Sequence, residues 1–305
     1  MTSETMYTPK GAGHNAPEGG RKGYVQPRQP LVEAFGNWLR KLEGRHGHDA
    51  GWRSHFSTES LRGVDLEGAT CGEINSILVP FEGHPRLCDA GTFLTRAYEM
   101  AGIADAVFES DVHVEKVDYG MTHEGIGWLG RESLPGMSLV LLSNTGPSTA
   151  MGSRGTTLNY ANCCSLGAGA PGVVVNYGEV SGTLGMSSDG TLINFGRVGI
   201  FNSGESAYVL DFGRSDWVNA AKDDTRPIVS ISIESGKYRL VIDWLTGYEF
   251  TDEMKQYLDD LRDRIGPHRH YTEVLAHLKG TDIKGDIRKG IRDMGVDLPE
   301  EFYDL

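Results

Sequence analysis

The chain is short of the residues that most often announce a chemistry. Four cysteines (Cys71, Cys88, Cys163, Cys164) are too few in 305 residues for a disulfide framework, and none sits in a Cys-x-x-Cys pair, so reduced thiols are expected. Positive charge is scarce: 29 Lys and Arg face 42 Asp and Glu, a formal net charge of −13 that repels phosphate backbones and anionic membranes. Nucleic acid and membrane are therefore not expected partners. No apolar run approaches the roughly 18 residues of a membrane helix; the densest, 139–142, reads as a buried strand. Met1-Thr2-Ser3-Glu4-Thr5 lacks the basic region and apolar core of a secretory signal, which leaves the cytoplasm as the expected location.

What the sequence does have is a repeat. Leu158-Asn159-Tyr160-Ala161, Val175-Asn176-Tyr177-Gly178, Ile193-Asn194-Phe195-Gly196 and Leu210-Asp211-Phe212-Gly213 share the order apolar, Asn or Asp, aromatic, small. Their Asn/Asp positions differ by 176 − 159 = 17, 194 − 176 = 18 and 211 − 194 = 17. Period-2 alternation puts Val173, Val175 and Tyr177 on one strand face and Val174 and Asn176 on the other. At about 3.3 Å per residue one period has a contour of roughly 57–60 Å, enough for two or three short sides around a filled interior. The expectation is a central β-solenoid, a single-stranded β-helix of 17–18 residues per coil, in an α+β chain. Asn159, Asn176, Asn194 and Asp211 would then stack as a polar ladder, with glycines after three of the aromatics turning the corners. An antiparallel β-sandwich with flanking helices is the alternative, and Ser188-Asp189-Gly190 would suit one of its hairpin turns.

Residues 185–196 (Gly185-Met186-Ser187-Ser188-Asp189-Gly190-Thr191-Leu192-Ile193-Asn194-Phe195-Gly196), followed by Tyr208-Val209-Leu210-Asp211, resemble the coils of the glycine-repeat β-helix. That domain is shared by the large subunit of glutamate synthase and by one of the subunits of formylmethanofuran dehydrogenase. The resemblance covers about residues 173–213 and implies a structural or interaction element, with no catalytic residue to carry over. This chain has Asn-aromatic-Gly where the family has paired glycines.

Around the repeats the chain divides into four stretches. Residues 1–29 are rich in Gly and Pro and read as a disordered tail. Residues 30–105 form a helical region: Leu31, Phe35, Trp38, Leu39 and Leu42 make one stripe, 77–79 reads as a short strand, and Asp89 is the expected N-cap of a second helix. Residues 106–247 are the β-repeat domain, opened by a strand over 112–117. Residues 248–305 are a helical region with an acidic tail at 298–305, a candidate partner-binding segment.

Candidate chemistry is sparse. His113, Glu115, Asp118 and His123 are the densest set of metal-competent side chains and the expected ligands if a divalent metal is bound; as a solvated strand edge they need no metal. Gly167-Ala168-Gly169-Ala170-Pro171-Gly172 has the letters of a dinucleotide loop, but a strand rather than a helix follows. Cys88 has His84 and Arg86 nearby; Cys163 and Cys164 have little to activate a thiolate. The 143–155 loop offers hydroxyls and Arg154 to an anion, or is a plain connection. Tyr160, Tyr177, Phe195 and Phe212 would be core if they stacked inside the coil and a carbohydrate surface if exposed. The function expected is a cytoplasmic structural or interaction protein with a protein partner or self-association; the alternative is a metal-dependent enzyme or small-molecule binder.

Overall fold

The four repeat strands run parallel and in register, which makes the β region a solenoid and removes the antiparallel sandwich. Asn159 pairs with Asn176, Asn176 with Asn194, and Asn194 with Asp211. The computed structural model describes residues 24–43, 50–114, 125–201, 208–218, 229–234, 237–242, 245–246 and 248–296. Within them the chain is α+β, with seven α-helices and a solenoid of about four turns.

Four helices precede the solenoid: α1 (Gln29–Leu42), α2 (Ala50–Leu61), α3 (Cys71–Ser76) and α4 (Gly91–Met100). Pro30 occupies the first turn of α1, and the expected stripe is buried. Phe35 packs against Trp38, Phe81 and Phe93 with ring centroids 5.7, 5.2 and 5.1 Å away. α3 starts on a capping box, Thr70 accepting the Glu73 N–H while Glu73 accepts the Thr70 N–H.

Three expectations fail here. Residues 24–28, placed in the disordered tail, are docked: Val25 N–H donates to Ser76 Oγ at 2.9 Å, and Arg28 donates to the Glu67 carbonyl at 2.8 Å and to Glu73 at 3.3 Å. Residues 77–79 form turn and 3-10 structure rather than a strand: Ile77 and Leu78 continue from α3 and are buried in the core shared with α1–α4. Asp89 is no N-cap. Ala90 holds that position, and the Asp89 carboxylate is 3.2 Å from Arg53 and 2.8 Å from Arg86.

After β1 (Asp105–Phe108) and β2 (Ser138–Leu141) the strands alternate between two sheets: β3 (Thr156–Asn159), β4 (Asn162–Cys163), β5 (Val173–Asn176), β6 (Glu179–Leu184), β7 (Thr191–Asn194), β8 (Arg197–Phe201), β9 (Tyr208–Asp211), β10 (Arg214–Val218) and β11 (Val229–Glu234). The odd-numbered strands from β3 onward join β1 and β2 in one parallel sheet; β4, β6, β8 and β10 form the other. Beyond β11 the larger sheet turns antiparallel through β12 (Lys237–Ile242) and β13 (Leu245–Thr246). The 112–117 strand is not seen at 112–114, and 115–117 lie outside the described residues.

Alternation sorts the strand residues into two cores. Val174, Leu192 and Val209 point into the coil, meet Val180 and Val198 of the second sheet, and join the core of α1–α4. Leu158, Val175, Ile193 and Leu210 point outward and are covered by α5 (Asp252–Ile265), α6 (Tyr271–Lys279) and α7 (Ile283–Asp293). The C-terminal helices thus lie along the flank of the stack. The other end of the large sheet is met by α3: Asn75 Nδ2 donates to the Val107 carbonyl at 2.9 Å, and Val107 N–H donates to Cys71 Sγ at 3.4 Å.

The glycines after the aromatics serve close approach rather than a left-handed turn. A Cβ on Gly178 would lie 2.1 Å from the Ala161 carbonyl oxygen, and one on Gly196 2.0 Å from that of Gly178.

Candidate functional site

Two surfaces of the solenoid present side chains that could bind something. The first is the outer face of the second sheet. Strand alternation turns Val180 and Val198 inward and Glu179, Ser181 and Arg197 outward, where all three are exposed. Asn162, Glu179, Arg197 and Arg214 follow one another along the stack, with Arg197 and Glu179 3.7 Å apart. Beside this charged row the surface is low, because Gly182 and Gly199 lie over the backbone of the preceding coil, where a Cβ would come within 2.6 and 2.7 Å of carbonyl oxygens.

The second is a cleft of about 660 Å³ where the β11–β12 hairpin, residues 248–250 and α5 meet. Thr251 caps α5 by accepting the Met254 N–H, and Met254, Leu258, Leu261 and Ile265 bury its inner stripe. Lys255, Asp259 and Arg262 therefore fall on a neighbouring stripe and line the cleft. Tyr238 reaches from β12 to donate its hydroxyl to Asp259 Oδ1 at 2.7 Å, and Arg262 stands 2.9 Å from the same oxygen. Burial, and then the Asp259 carboxylate, hold the Tyr238 hydroxyl above the usual phenol range, so it stays a donor. Ile233 and Phe250 give the cleft apolar lining, and Tyr248 is 38% exposed.

An aromatic column leads to this cleft. Tyr160, Tyr177, Phe195 and Phe212 stack with centroids 4.4, 5.4 and 5.1 Å apart, and Tyr238 meets Phe212 edge-on at 6.5 Å. The column lies outside the coil, half-buried against the C-terminal helices, and Tyr177 donates its hydroxyl to the Ile265 carbonyl at 2.5 Å. It is not interior core. Tyr177 and Phe195 each have both ring faces covered by ring neighbours, which leaves a sugar no face of these two rings to stack on.

Of the expected metal ligands, His113 is exposed and its backbone N–H donates to Glu82 Oε1 at 3.0 Å, while Glu115, Asp118 and His123 lie outside the described residues. Among the described residues no three His, Cys, Asp or Glu side chains converge in a metal-holding group. Burial raises the thiols: Cys88 is pushed up to about 12 and Cys163 up to about 11, which keeps both from being thiolate nucleophiles at neutral pH. Gly167 and Gly169 take positive φ in a turn leading to β5, so no helix N-terminus faces a phosphate. The 143–155 loop belongs to the solenoid: Thr145 bridges Ile126 and Cys163, Thr149 bridges Leu166, and Ser133 and Ser153 share a hydroxyl contact at 2.7 Å.

Sequence reasoning missed the cleft. Lys255, Asp259 and Arg262 lie off the apolar stripe of α5, and nothing local ties them to Tyr238 on a strand 21 residues before Asp259. No family model, curated protein or solved structure matches the chain.

Proposed function

We propose that the chain is a structural, protein-interaction protein that presents the outer face of the second sheet to a protein partner. One observation supports this most directly. α5–α7 cover the outward Val175, Ile193 and Leu210 of the large sheet, whereas the outward Glu179, Ser181 and Arg197 of the second sheet remain exposed among the described residues. A regular, low face edged by charges of both signs suits a rigid protein surface, with Glu179 and Arg197 fixing orientation. The raised thiols are consistent with a non-catalytic role. In this reading the solenoid is a single-stranded β-helix of 17–18 residues per coil, kin to the glycine-repeat β-helix it resembles, and the protein works in the cytoplasm without nucleic acid. The formal charge of −13 supports the last point; among the described residues no helix is long and apolar enough to cross a membrane.

A photo-crosslinking residue at Ser181, with Gln256 on the exposed face of α5 as control, tests the proposal in cell extract. A discrete crosslinked protein, or a crosslinked dimer, at 181 and not at 256 is expected. Equal or absent crosslinking at the two positions overturns it.

A further inference from the structure

The cleft beside the aromatic column shares no residue with the charged row of the second-sheet face. Its volume of about 660 Å³ is that of a small-molecule site. In a chain of formal charge −13 the cleft runs against the average: Lys237, Lys255 and Arg262 line it against Glu249 and Asp259. Asp259 is already committed, accepting the Tyr238 hydroxyl at 2.7 Å and facing Arg262 at 2.9 Å. Lys237 and Lys255 are both exposed, and the acid paired with Lys255, Asp252, has a side chain that is 96% exposed, so little is lost if the ammonium turns to a ligand. The rings are the second element. Tyr238 is held in place by Phe212 and by Phe250, whose centroid is 6.0 Å away, while Tyr248 is exposed at the cleft.

We propose that this cleft binds a small organic anion built on a flat ring. The ring lies against Tyr248 and Phe250, the carboxylate or sulfonate meets Lys237 and Lys255, and the Tyr238–Asp259–Arg262 chain sets the wall. The charge of the two exposed ammonium groups discriminates against the neutral analogue, and the rings discriminate against an anion without a flat body.

Equilibrium dialysis of the full chain tests this with 2-naphthoate, 2-naphthylmethanol and acetate. The expected result is one saturable site for naphthoate, about tenfold or more weaker binding of the alcohol, and no measurable binding of acetate at about 5 mM. Lys237→Ala combined with Lys255→Ala should bring naphthoate down to the alcohol's level. Tyr248→Ala should weaken both ring compounds, and Tyr248→Phe, which keeps the ring, should retain naphthoate. Lys289→Ala on α7 should change nothing. No saturable naphthoate binding, equal binding of acid and alcohol, or binding indifferent to the Lys237, Lys255 and Tyr248 variants overturns the proposal.

Discussion

Asn176 donates its side-chain N–H to Asn194 Oδ1 at 2.9 Å, and the same amide donates to the Gly178 carbonyl at 3.1 Å, so one side chain both closes its own corner and ties it to the next coil. Asn159 does the same one coil earlier, donating to Asn176 Oδ1 at 2.8 Å and to the Ala161 carbonyl at 2.9 Å. The line ends at Asp211, which accepts from Asn194 at 2.8 Å and from the Ser215 hydroxyl at 2.8 Å. Asn176 and its two neighbours in the line are fully buried, and Asn176→Leu leaves one Asn159 N–H without its acceptor and removes the bonds to Asn194 Oδ1 and the Gly178 carbonyl. Urea unfolding should register a loss on the order of 2–5 kcal/mol. Asp211→Asn keeps an oxygen for Asn194 and should cost about 1 kcal/mol. Equal stability of Asn176→Leu and the parent chain would show that the ladder is ornamental.

Arg53 and Asp89 are a second buried dependence. Their side chains are 2% and 1% exposed, and the Arg53 guanidinium lies 4.8 Å from the ring centroids of both Trp52 and Trp128. Asp89→Ala leaves a buried guanidinium without its carboxylate and should cost about 3–5 kcal/mol, read as a drop in the urea midpoint. Asp89→Asn, which retains an acceptor, should lose less.

That pair also explains why α2 escaped the sequence reading. Its inward positions are Arg53, Ser57 and Leu61, so the face that packs is mostly polar and gives no apolar period to find. α1 was legible for the opposite reason: Leu31, Phe35, Trp38 and Leu42 bury as written. The ladder was legible because an inward Asn must find a partner one period away, which fixes spacing and identity together. Whether the aromatics faced core or solvent was not, since it depends on α5–α7 folding back over a surface far earlier in the chain, as the Tyr177–Ile265 bond illustrates with a sequence separation of 88.

Coil stacking depends on bare backbone at the corners. Gly196→Ala puts a methyl 2.0 Å from the Gly178 carbonyl oxygen, and its next nearest atoms are Tyr177 backbone, so no flexible side chain is there to give way. A loss of about 3 kcal/mol or more is expected from thermal or urea unfolding. Gly280→Ala, whose Cβ would meet nothing nearer than 3.7 Å, should stay within about 0.5 kcal/mol of the parent.

Stability should fall at both ends of the pH scale, for different groups. Burial holds the Cys163 thiol up to about 11 and Cys88 up to about 12, against about 8.5 for a free thiol. Their contribution is complete below the free-thiol value and is lost as pH rises toward the folded values, because the unfolded chain ionises first. Burial depresses the His84 imidazole, with Glu43 opposing; its contribution is present above the ordinary histidine value and lost as pH falls. Unfolding midpoints measured from pH 5 to 10 should peak near neutrality. Cys163→Ser should flatten the alkaline limb, and an unchanged alkaline slope in that variant would remove the thiol from the account.

The hairpin of β11 and β12 has a final consequence for length. With strand direction reversed at one end of the large sheet, and Asn75 and Cys71 engaging Val107 of β1 at the other, neither end of that sheet offers, among the described residues, a bare parallel template for an identical coil. The large sheet is therefore a ruler of fixed reading rather than the start of a filament. It can be lengthened only from within, by a whole period at a time.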